Sequence, residues 1–338
     1  MKHFFALYIA FLLTFFVPNI AHADEVAKLG MHVLQPDEFA VAKQALLSPD
    51  TTAAESAWNF MTVPITLVDI EDPIRWQKQF DQAKIDRVIP IVRLTTRFEN
   101  NAWQRPNRKE IVALINFLSD LEWPTADKRI IVFNEVNHAK EWGGSIDPAS
   151  YAQDFIFASN WAHAVDPAFI VLPAAMDLAA GNTKDTSEAF WYLSQLYEYD
   201  PEVFSYADAW NSHSYPNPGF VSSPVRTDKN SLRGFEHELA FLENKIDKSL
   251  PVYITETGWR GTRATDRWLA SYYEYALRHI WSKPEVVAVT PFLYKGAPGP
   301  FAEFSFVTAD DQPTNQLLSL QLALENIARE KRLLSSVQ

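Results

Sequence analysis

Short apolar runs alternate with amphipathic stretches along most of the chain. The runs are rich in Val, Ile, Phe and Tyr, and most are apolar at consecutive positions, as expected of parallel strands covered on both faces. Eight strands are predicted, over residues 29–33, 60–65, 88–94, 130–136, 169–175, 207–215, 251–258 and 286–294.

The stretches between the runs have helical spacing. After Arg108, for example, Ile111, Leu114, Ile115 and Leu118 form one apolar stripe. Eight helices are predicted, over residues 36–47, 73–85, 108–121, 150–165, 187–197, 231–246, 266–281 and 315–334. A strand followed by a helix eight times predicts an α/β protein with a single (β/α)8 TIM barrel.

An open doubly wound sheet is the alternative architecture. Such a sheet normally has a glycine-rich turn after its first strand, where a helix N-terminus binds phosphate. Here the residues from His32 to Pro36 contain no glycine, which favours the barrel. Neither a linker nor an internal repeat interrupts residues 24–338, so we expect one domain there.

The N-terminus has the pattern of a signal peptide. A short head with Lys2 precedes an apolar stretch, 4–17, that is too short to span a bilayer comfortably, and Ala21-His22-Ala23 matches a signal-peptidase site. We therefore expect residues 1–23 to be removed near Ala23, leaving a secreted or periplasmic protein with no membrane contact. An uncleaved membrane anchor is the alternative.

Composition narrows the classes of function. The 338 residues carry a formal charge of −12, which disfavours nucleic acid as a partner. The absence of cysteine excludes disulfides, thiol catalysis and thiolate metal sites. Aromatic residues make up 14% of the chain, and such rings often bind the apolar faces of sugars, although most will pack in the core.

Two glutamates lie near the ends of predicted strands. Glu135 comes at the end of the fourth strand and Glu256 at the end of the seventh, where the reacting residues of such barrels lie. Strand alternation would put Glu135 on one face with Phe133, and Glu256 with Ile254. Retaining glycosidases need two carboxyl groups about 5 to 5.5 Å apart, one as nucleophile and one as acid/base.

With these motifs the chain resembles the clan A retaining glycoside hydrolases, a group of (β/α)8 enzymes with Asn-Glu after strand four and Glu after strand seven. The resemblance implies that Glu135 is the acid/base and Glu256 the nucleophile. It also implies that Asn134 binds the sugar 2-hydroxyl. His213-Ser214-Tyr215 matches the clan's His-x-Tyr, so Tyr215 would hold the nucleophile and His213 would contact substrate or support the acid/base.

Two features depart from the clan's pattern. Arg93 closes the third predicted strand and would keep the nucleophile ionised, but the clan usually has its arginine one strand earlier. Strand eight lacks the clan's tryptophan platform, so Tyr294 and Lys295 are expected to bind sugar there. Stacking is further expected from two tryptophans, Trp142 and Trp259.

Other enzyme classes fit less well. Metal-dependent barrels need clustered histidines, whereas only His32 closes the first strand, so no metal is expected. The Gly-x-Ser-x-Gly motif of serine hydrolases is missing. The prediction is a monomeric enzyme that needs no cofactor and cleaves β-linked poly- or oligosaccharides. The loops 95–105 and 216–230 would select the sugar. A transglycosylase and a catalytically silent sugar-binding barrel are the alternatives.

Overall fold

Eight parallel strands form the main sheet of the computed structural model, which describes residues 26–47 and 57–335. The strands are β1 Val26–His32, β2 Trp58–Ile65, β3 Val88–Leu94, β4 Lys128–Val132, β5 Phe169–Pro173, β6 Trp210–Ser212, β7 Val252–Ile254 and β8 Val286–Val289. The predicted signal peptide, 1–23, lies outside the described residues.

The sheet curls until its two end strands meet. Its hydrogen-bonded order is β5-β4-β3-β2-β1-β8-β7-β6. At the seam between β5 and β6, the Asp208 amide donates to the Val171 carbonyl at 2.9 Å, and a parallel bridge joins Asp177 to His213. The predicted barrel is therefore confirmed.

Eight α-helices pack around this barrel in the described ranges. They are α1 Phe39–Leu46, α2 Pro73–Ile85, α3 Arg108–Asp120, α4 Pro148–Val165, α5 Ala189–Tyr199, α6 Gly234–Glu243, α7 Leu269–His279 and α8 Asn315–Ser335. Asn107 begins α3 by accepting hydrogen bonds from the amides of Lys109 and Glu110, which satisfies two of the helix's free donors. None of the helices in the described ranges has the length and apolar character needed to cross a membrane.

Side chains from the strands fill the inside of the barrel. The buried members of this inner cluster are Phe60, Ile89, Ile91, Ile131, Leu172, Ala209, Tyr253 and Ala288. Gly30 brings β1 close to β2, since a Cβ there would lie 1.8 Å from the Phe60 carbonyl oxygen. The filled interior leaves the carboxyl ends of the strands as the open face on which a site is built.

The later strands are shorter than their apolar runs predict. The run over 207–215 contains only Trp210–Ser212 as β6, and the run over 286–294 contains only Val286–Val289 as β8. The residues beyond each strand leave the sheet and form the loops at the barrel mouth. These are the segments that carry most of the candidate chemistry.

Candidate active site

Functional side chains from six strands meet at the carboxyl end of the barrel. His32 closes β1 and Arg93 is the penultimate residue of β3. The others follow their strands within a few residues: Asn134 and Glu135 after β4, His213 and Tyr215 after β6, Glu256 after β7, and Phe292 after β8. Parallel strands point their carboxyl ends the same way, and closure of the barrel therefore brings these segments together.

Glu256 lies at the centre of this group. Its side chain is only 10% exposed. Arg93 Nη1 donates a charged hydrogen bond to one carboxylate oxygen, and the Tyr215 hydroxyl donates to the other at 3.1 Å. His213 Nδ1 lies 3.7 Å from the carboxylate and His32 Nε2 lies 3.5 Å from it. Donors therefore surround Glu256.

These neighbours keep Glu256 ionised. Burial opposes its ionisation, but the positive charges of His213 and Arg93 outweigh burial and lower the pKa of Glu256 to about 2. Burial lowers the pKa of His32 to about 3, so this imidazole is neutral. Burial and the charge on Glu256 raise the pKa of Tyr215 well above its ordinary value, so its hydroxyl keeps the proton that it donates.

Glu135 has a more open environment. Its side chain is 23% exposed, and His213 Nδ1 donates to its carboxylate at 2.8 Å. Burial lowers the pKa of His213, but the charge on Glu256 and the hydrogen bond to Glu135 outweigh it and raise that pKa. One histidine thus contacts both glutamates.

The backbone carrying Glu135 corrects the expectation from strand alternation. β4 ends at Val132, and the amide of Phe133 donates back to the carbonyl of Ile131. Phe133 and Glu135 both have positive φ, 73° and 32°, which costs about 1 to 3 kcal/mol for residues with a side chain. A turn, not a continued strand, therefore orients Glu135, while Phe133 packs against Trp142.

The two glutamates are close to each other. One carboxylate oxygen from each, together with a ring nitrogen of His213, lie within 4.8 Å of one another. These are also the residues of this region that could hold a metal ion. Arg93 already donates a hydrogen bond to the Glu256 carboxylate, so a metal ion bound there would have to compete with the guanidinium group.

Asn134 is part of the same network. Its side-chain oxygen accepts from Arg93 Nη1 at 2.9 Å, and its amide nitrogen donates to Glu141 at 3.3 Å.

Arg93 lies on the third strand of the sheet. β2 pairs with β3 from Asn59 to Ile65, so β2 is a complete strand that precedes the one carrying Arg93. The arginine beside Glu256 therefore comes from the third strand of this barrel, not the second.

A cleft of about 690 Å³ opens above these residues. Five clustered rings in its lining, which we call the aromatic wall, have centroid distances of 5.0–6.3 Å; they are those of Tyr215, Phe220, Phe292, Phe301 and Phe304.

The lining of the cleft also includes Thr95, Thr96, Trp103, Gln104 and Glu141. Trp103 ends a small antiparallel hairpin formed by Phe98–Glu99 and Ala102–Trp103. The loops after β3 and β6 thus contribute to the cleft, and so does the loop after β8.

Among the solved structures that this chain resembles in fold are several glycoside hydrolases. The chain matches a monomeric β-xylosidase from Caulobacter crescentus CB15 with a TM-score of 0.58 and 16% identity, covering 88% of this chain and 68% of that one. It matches a family 39 glycoside hydrolase from Bacteroides cellulosilyticus WH2 with a TM-score of 0.61 and 13% identity, covering 89% and 64%. A mannanase catalytic domain from Streptomyces sp. SirexAA-E gives 0.53 and 13%, covering 88% and 86%. The chain therefore shares its (β/α)8 barrel fold with these glycoside hydrolases.

The likeness is one of fold alone, because the identities are low. No protein-family model matches the sequence, and no curated protein matches it. The chain spans about two thirds of the length of the xylosidase and the family 39 enzyme. Roles for individual residues therefore depend on the geometry of this site.

Two of the residues expected to stack on sugar are almost fully buried. Trp259 is 1% exposed, packs against Tyr273 and Trp281, and donates from its indole nitrogen to the Ser222 carbonyl. Trp142 lines the base of the cleft but is also 1% exposed, with its indole nitrogen bonded to Ser150. Both rings are used in packing, so the structure does not support a stacking role.

The structure also does not support the sugar-binding residues expected after strand eight. Tyr294 is 7% exposed and belongs to the core, and Lys295 pairs with Asp311 at 2.6 Å; neither residue lines the cleft. Phe292, two residues earlier, reaches the cleft instead and contacts the ring of His32. β8 ends at Val289, and the chain then turns, so counting along the apolar run selected the wrong aromatic residue.

Sequence reasoning also missed several residues around the glutamates and the cleft, among them His32, Glu141, Trp103 and Phe301. His32 was considered only as a metal ligand, although its place at the end of β1 was a signal for the site. Glu141, Trp103 and Phe301 lie in loops, where neither strand periodicity nor a short motif marks them.

Proposed function

We propose that this protein is a retaining β-glycoside hydrolase in which Glu256 is the nucleophile and Glu135 the acid/base. The observation that carries the proposal is the pairing of two close carboxylates with opposite surroundings. Glu256 is buried among donors that favour its ionised form, and Glu135 faces the cleft. A nucleophile must start ionised, and an acid must reach the leaving group.

The distance between the glutamates supports retention of configuration. Retaining enzymes hold their carboxyl groups about 5 to 5.5 Å apart, whereas inverting enzymes leave about 6.5 to 9.5 Å for a water molecule. Oxygens of Glu135 and Glu256 lie within 4.8 Å of each other, which is too close for a water to enter between the sugar and a base.

The first step would break the glycosidic bond. Glu256 attacks the anomeric carbon, Glu135 gives its proton to the departing oxygen, and a glycosyl-enzyme ester forms. The negative charge of Glu256 is consumed in this step. Arg93 and Tyr215 hold the two oxygens of Glu256, which fixes the attacking geometry.

The second step would return the enzyme to its starting state. Glu135, now a carboxylate, takes a proton from water, and the water oxygen attacks the same carbon while the ester bond to Glu256 breaks. The emerging carboxylate is stabilised by the donors that surrounded it before. Both steps use only residues of this chain and water.

The substrate class follows from the cleft and from the likeness of fold. The similar structures include a β-xylosidase and mannanases, which supports a β-linked poly- or oligosaccharide as the substrate. The aromatic wall offers rings for the apolar faces of sugars. Residues 1–23 support export, which would bring the enzyme to substrates outside the cytoplasm.

Rescue by azide tests both roles at once. Ala variants of Glu135 and Glu256 are assayed on aryl β-glycosides with and without sodium azide, and the products are identified by NMR. In Glu256→Ala, azide enters the space of the missing carboxylate and yields the α-glycosyl azide. In Glu135→Ala, azide attacks the glycosyl-enzyme from the other face and yields the β-glycosyl azide.

Other outcomes would favour other functions. If both variants yield the same anomer of the glycosyl azide, the assignment of the nucleophile and the acid/base is contradicted. Saturable glycan binding without turnover by the wild type would favour a sugar-binding barrel. Transfer of the sugar to an added oligosaccharide in preference to water would favour a transglycosylase, which uses the same intermediate.

A further inference from the structure

Glu238 is a buried acid that the double displacement does not use. It lies in α6 and is fully buried. Burial raises the pKa of Glu238 to about 7, although the hydroxyl of Ser212 and the positive charge of His213 oppose this rise. Within the described ranges, no lysine or arginine forms an ion pair with it. Burying a carboxyl group without a cation costs free energy that an apolar residue at this position would not cost.

Glu238 accepts a hydrogen bond from Ser212, the last residue of β6. Ser212 Oγ lies 2.5 Å from Glu238 Oε2 and 2.8 Å from Ser214 Oγ. The Ser214 hydroxyl in turn accepts from the backbone amide of Phe235 in α6, at 2.8 Å. Both serines are fully buried. The backbone after β6 is therefore held against α6 at two neighbouring points, one of which is the Glu238 carboxyl group.

His213 lies between these two serines and contacts the glutamates of the cleft. Successive residues of an extended backbone point to opposite faces, so the serines face α6 whereas the imidazole faces the barrel mouth. His213 Nδ1 donates to Glu135 at 2.8 Å and lies 3.7 Å from the Glu256 carboxylate. The position of the imidazole thus depends on a backbone that Glu238 holds from the side of the helix.

The same backbone is bonded to both residues that flank Glu256. The Thr255 amide donates to the Ser212 carbonyl at 3.2 Å, and the Thr257 hydroxyl donates to the Ser214 carbonyl at 2.7 Å. The two serines are therefore hydrogen-bonded to the helix through their side chains and to the chain around the nucleophile through their carbonyls. A shift of this segment would change the spacing of the catalytic groups.

We propose that Glu238 is a positioning residue for the catalytic pair: by accepting the Ser212 hydrogen bond it fixes the backbone that carries His213 and, through His213, the place of Glu135. The inference rests on the proposed function, in which Glu135 is the acid. It requires a hydrogen-bond acceptor at position 238, not a negative charge. A misplacement of about 1 Å can cost about 100-fold in rate, so this bond affects catalysis although Glu238 does not line the cleft.

The test measures kcat/KM for two aryl β-glycosides of the sugar that the wild type cleaves fastest. A phenyl glycoside needs a proton from the acid, and a dinitrophenyl glycoside needs none. Glu238→Leu removes the acceptor and should lower kcat/KM for the phenyl glycoside by about tenfold or more, but for the dinitrophenyl glycoside by less than about threefold. The ratio of the two losses does not depend on how much enzyme is folded, so a merely structural role would leave the ratio unchanged.

Three further variants sharpen the test. Glu238→Gln keeps an acceptor oxygen for Ser212 and should stay within about threefold of the wild type on both glycosides. Ser212→Ala should reproduce the leucine variant, and it serves if that variant does not fold. Combining the two should add no further loss, because both break the same bond. Ser159→Ala is the control, since this buried hydroxyl of α4 donates to the Tyr206 carbonyl at 2.7 Å, and it should leave the ratio unchanged.

Three outcomes would overturn the inference. The first is a loss in Glu238→Leu and Ser212→Ala that is absent or equal on the two glycosides. The second is a Glu238→Gln variant as impaired as Glu238→Leu, and the third is a double variant whose loss is the product of the single losses. In each of these the wild type still cleaves both glycosides, and the proposed hydrolase stands. A wild type that cleaves neither contradicts the proposed function, and the inference falls with it.

Discussion

The two glutamates of the cleft are the same residue type in opposite environments. Glu256 has a side chain that is 10% exposed and is held by Arg93 and Tyr215. Glu135 has a side chain that is 23% exposed, with His213 as its hydrogen-bond partner. Environment, not residue type, therefore separates a buried carboxylate that is kept charged from one that is more open to the cleft.

The difference begins in the backbone. Glu256 follows β7 by two residues, and the chain continues hydrogen-bonding along that strand, since the Thr255 amide donates to the Ser212 carbonyl. Glu135 lies in a turn closed by the His138 amide, which donates to the Glu135 carbonyl at 2.8 Å. The Glu256 carboxylate, which follows the strand directly, is therefore more buried than the Glu135 carboxylate, which the turn leaves more exposed.

The largest expected loss of kcat/KM comes from replacing either glutamate, and the two variants should differ in how that loss depends on the leaving group of the substrate. Glu256→Gln should lower kcat/KM by more than about 10,000-fold on every β-glycoside, because no nucleophile remains. Glu135→Gln should lower it by about 100- to 10,000-fold on oligosaccharides, but by less than about tenfold on dinitrophenyl glycosides, whose leaving group needs no proton. Steady-state kinetics on the two substrate classes check this.

The double displacement also predicts how kcat responds. In Glu135→Gln, dinitrophenyl glycosides should show a burst of phenolate followed by slow turnover, because the glycosyl-enzyme forms but lacks a base for its hydrolysis. A Glu135→Gln variant that loses both substrate classes equally would contradict the contrast drawn between the two carboxylates.

Replacing Arg93 should give the next largest loss of kcat/KM. Its guanidinium favours the charged form of Glu256, so removing it in Arg93→Met should raise the pKa of Glu256 from about 2. The ionised nucleophile is then lost at a higher pH, and the acidic limb of the pH profile of kcat/KM should move upward. At neutral pH we expect kcat/KM to fall about 100-fold, since Asn134 also loses its donor.

Tyr215→Phe is the matched control for charge. It removes a neutral donor from the same carboxylate, at 3.1 Å, without removing a positive charge. It should therefore lower kcat/KM by about tenfold and move the acidic limb less than Arg93→Met does. If the limb stays in place in both variants, the donors around Glu256 do not set its ionisation.

The same contrast explains what the sequence could predict. Glu135, Glu256, His213 and Tyr215 lie within four residues of strands with clear apolar runs. Strand order placed the two glutamates at one end of a barrel, and the resemblance to a known family added His213 and Tyr215. The repeated strand-helix pattern predicted the fold for the same reason, because burial on both faces leaves a periodic signal. Arg93 was found because a charge near the end of a buried strand is conspicuous.

Residues further from strands could not be placed in this way. Trp259 directly follows the motif around Glu256, yet the chain turns inward at Gly258, whose φ is 115°, and the ring enters the core. Phe220 and Phe301 reach the cleft from loops whose paths depend on contacts with other loops, such as the Arg260 amide donating to the Phe220 carbonyl. Such tertiary contacts leave no periodic trace in the sequence.

Lys295 should give the smallest effect. The sequence places it beside a barrel strand that ends in aromatic residues, but its ammonium group pairs with Asp311, whose side chain is 64% exposed, and does not line the cleft. Exposed ion pairs contribute about 0 to 1 kcal/mol, so Lys295→Ala should change the free energy of unfolding by less than about 1 kcal/mol. We expect kcat/KM to stay within about twofold of the wild type, and Asp311→Asn should behave alike. A tenfold loss of kcat/KM in the lysine variant alone would mean that this side chain leaves Asp311 to bind sugar, and that the cleft extends past Phe292 towards α8.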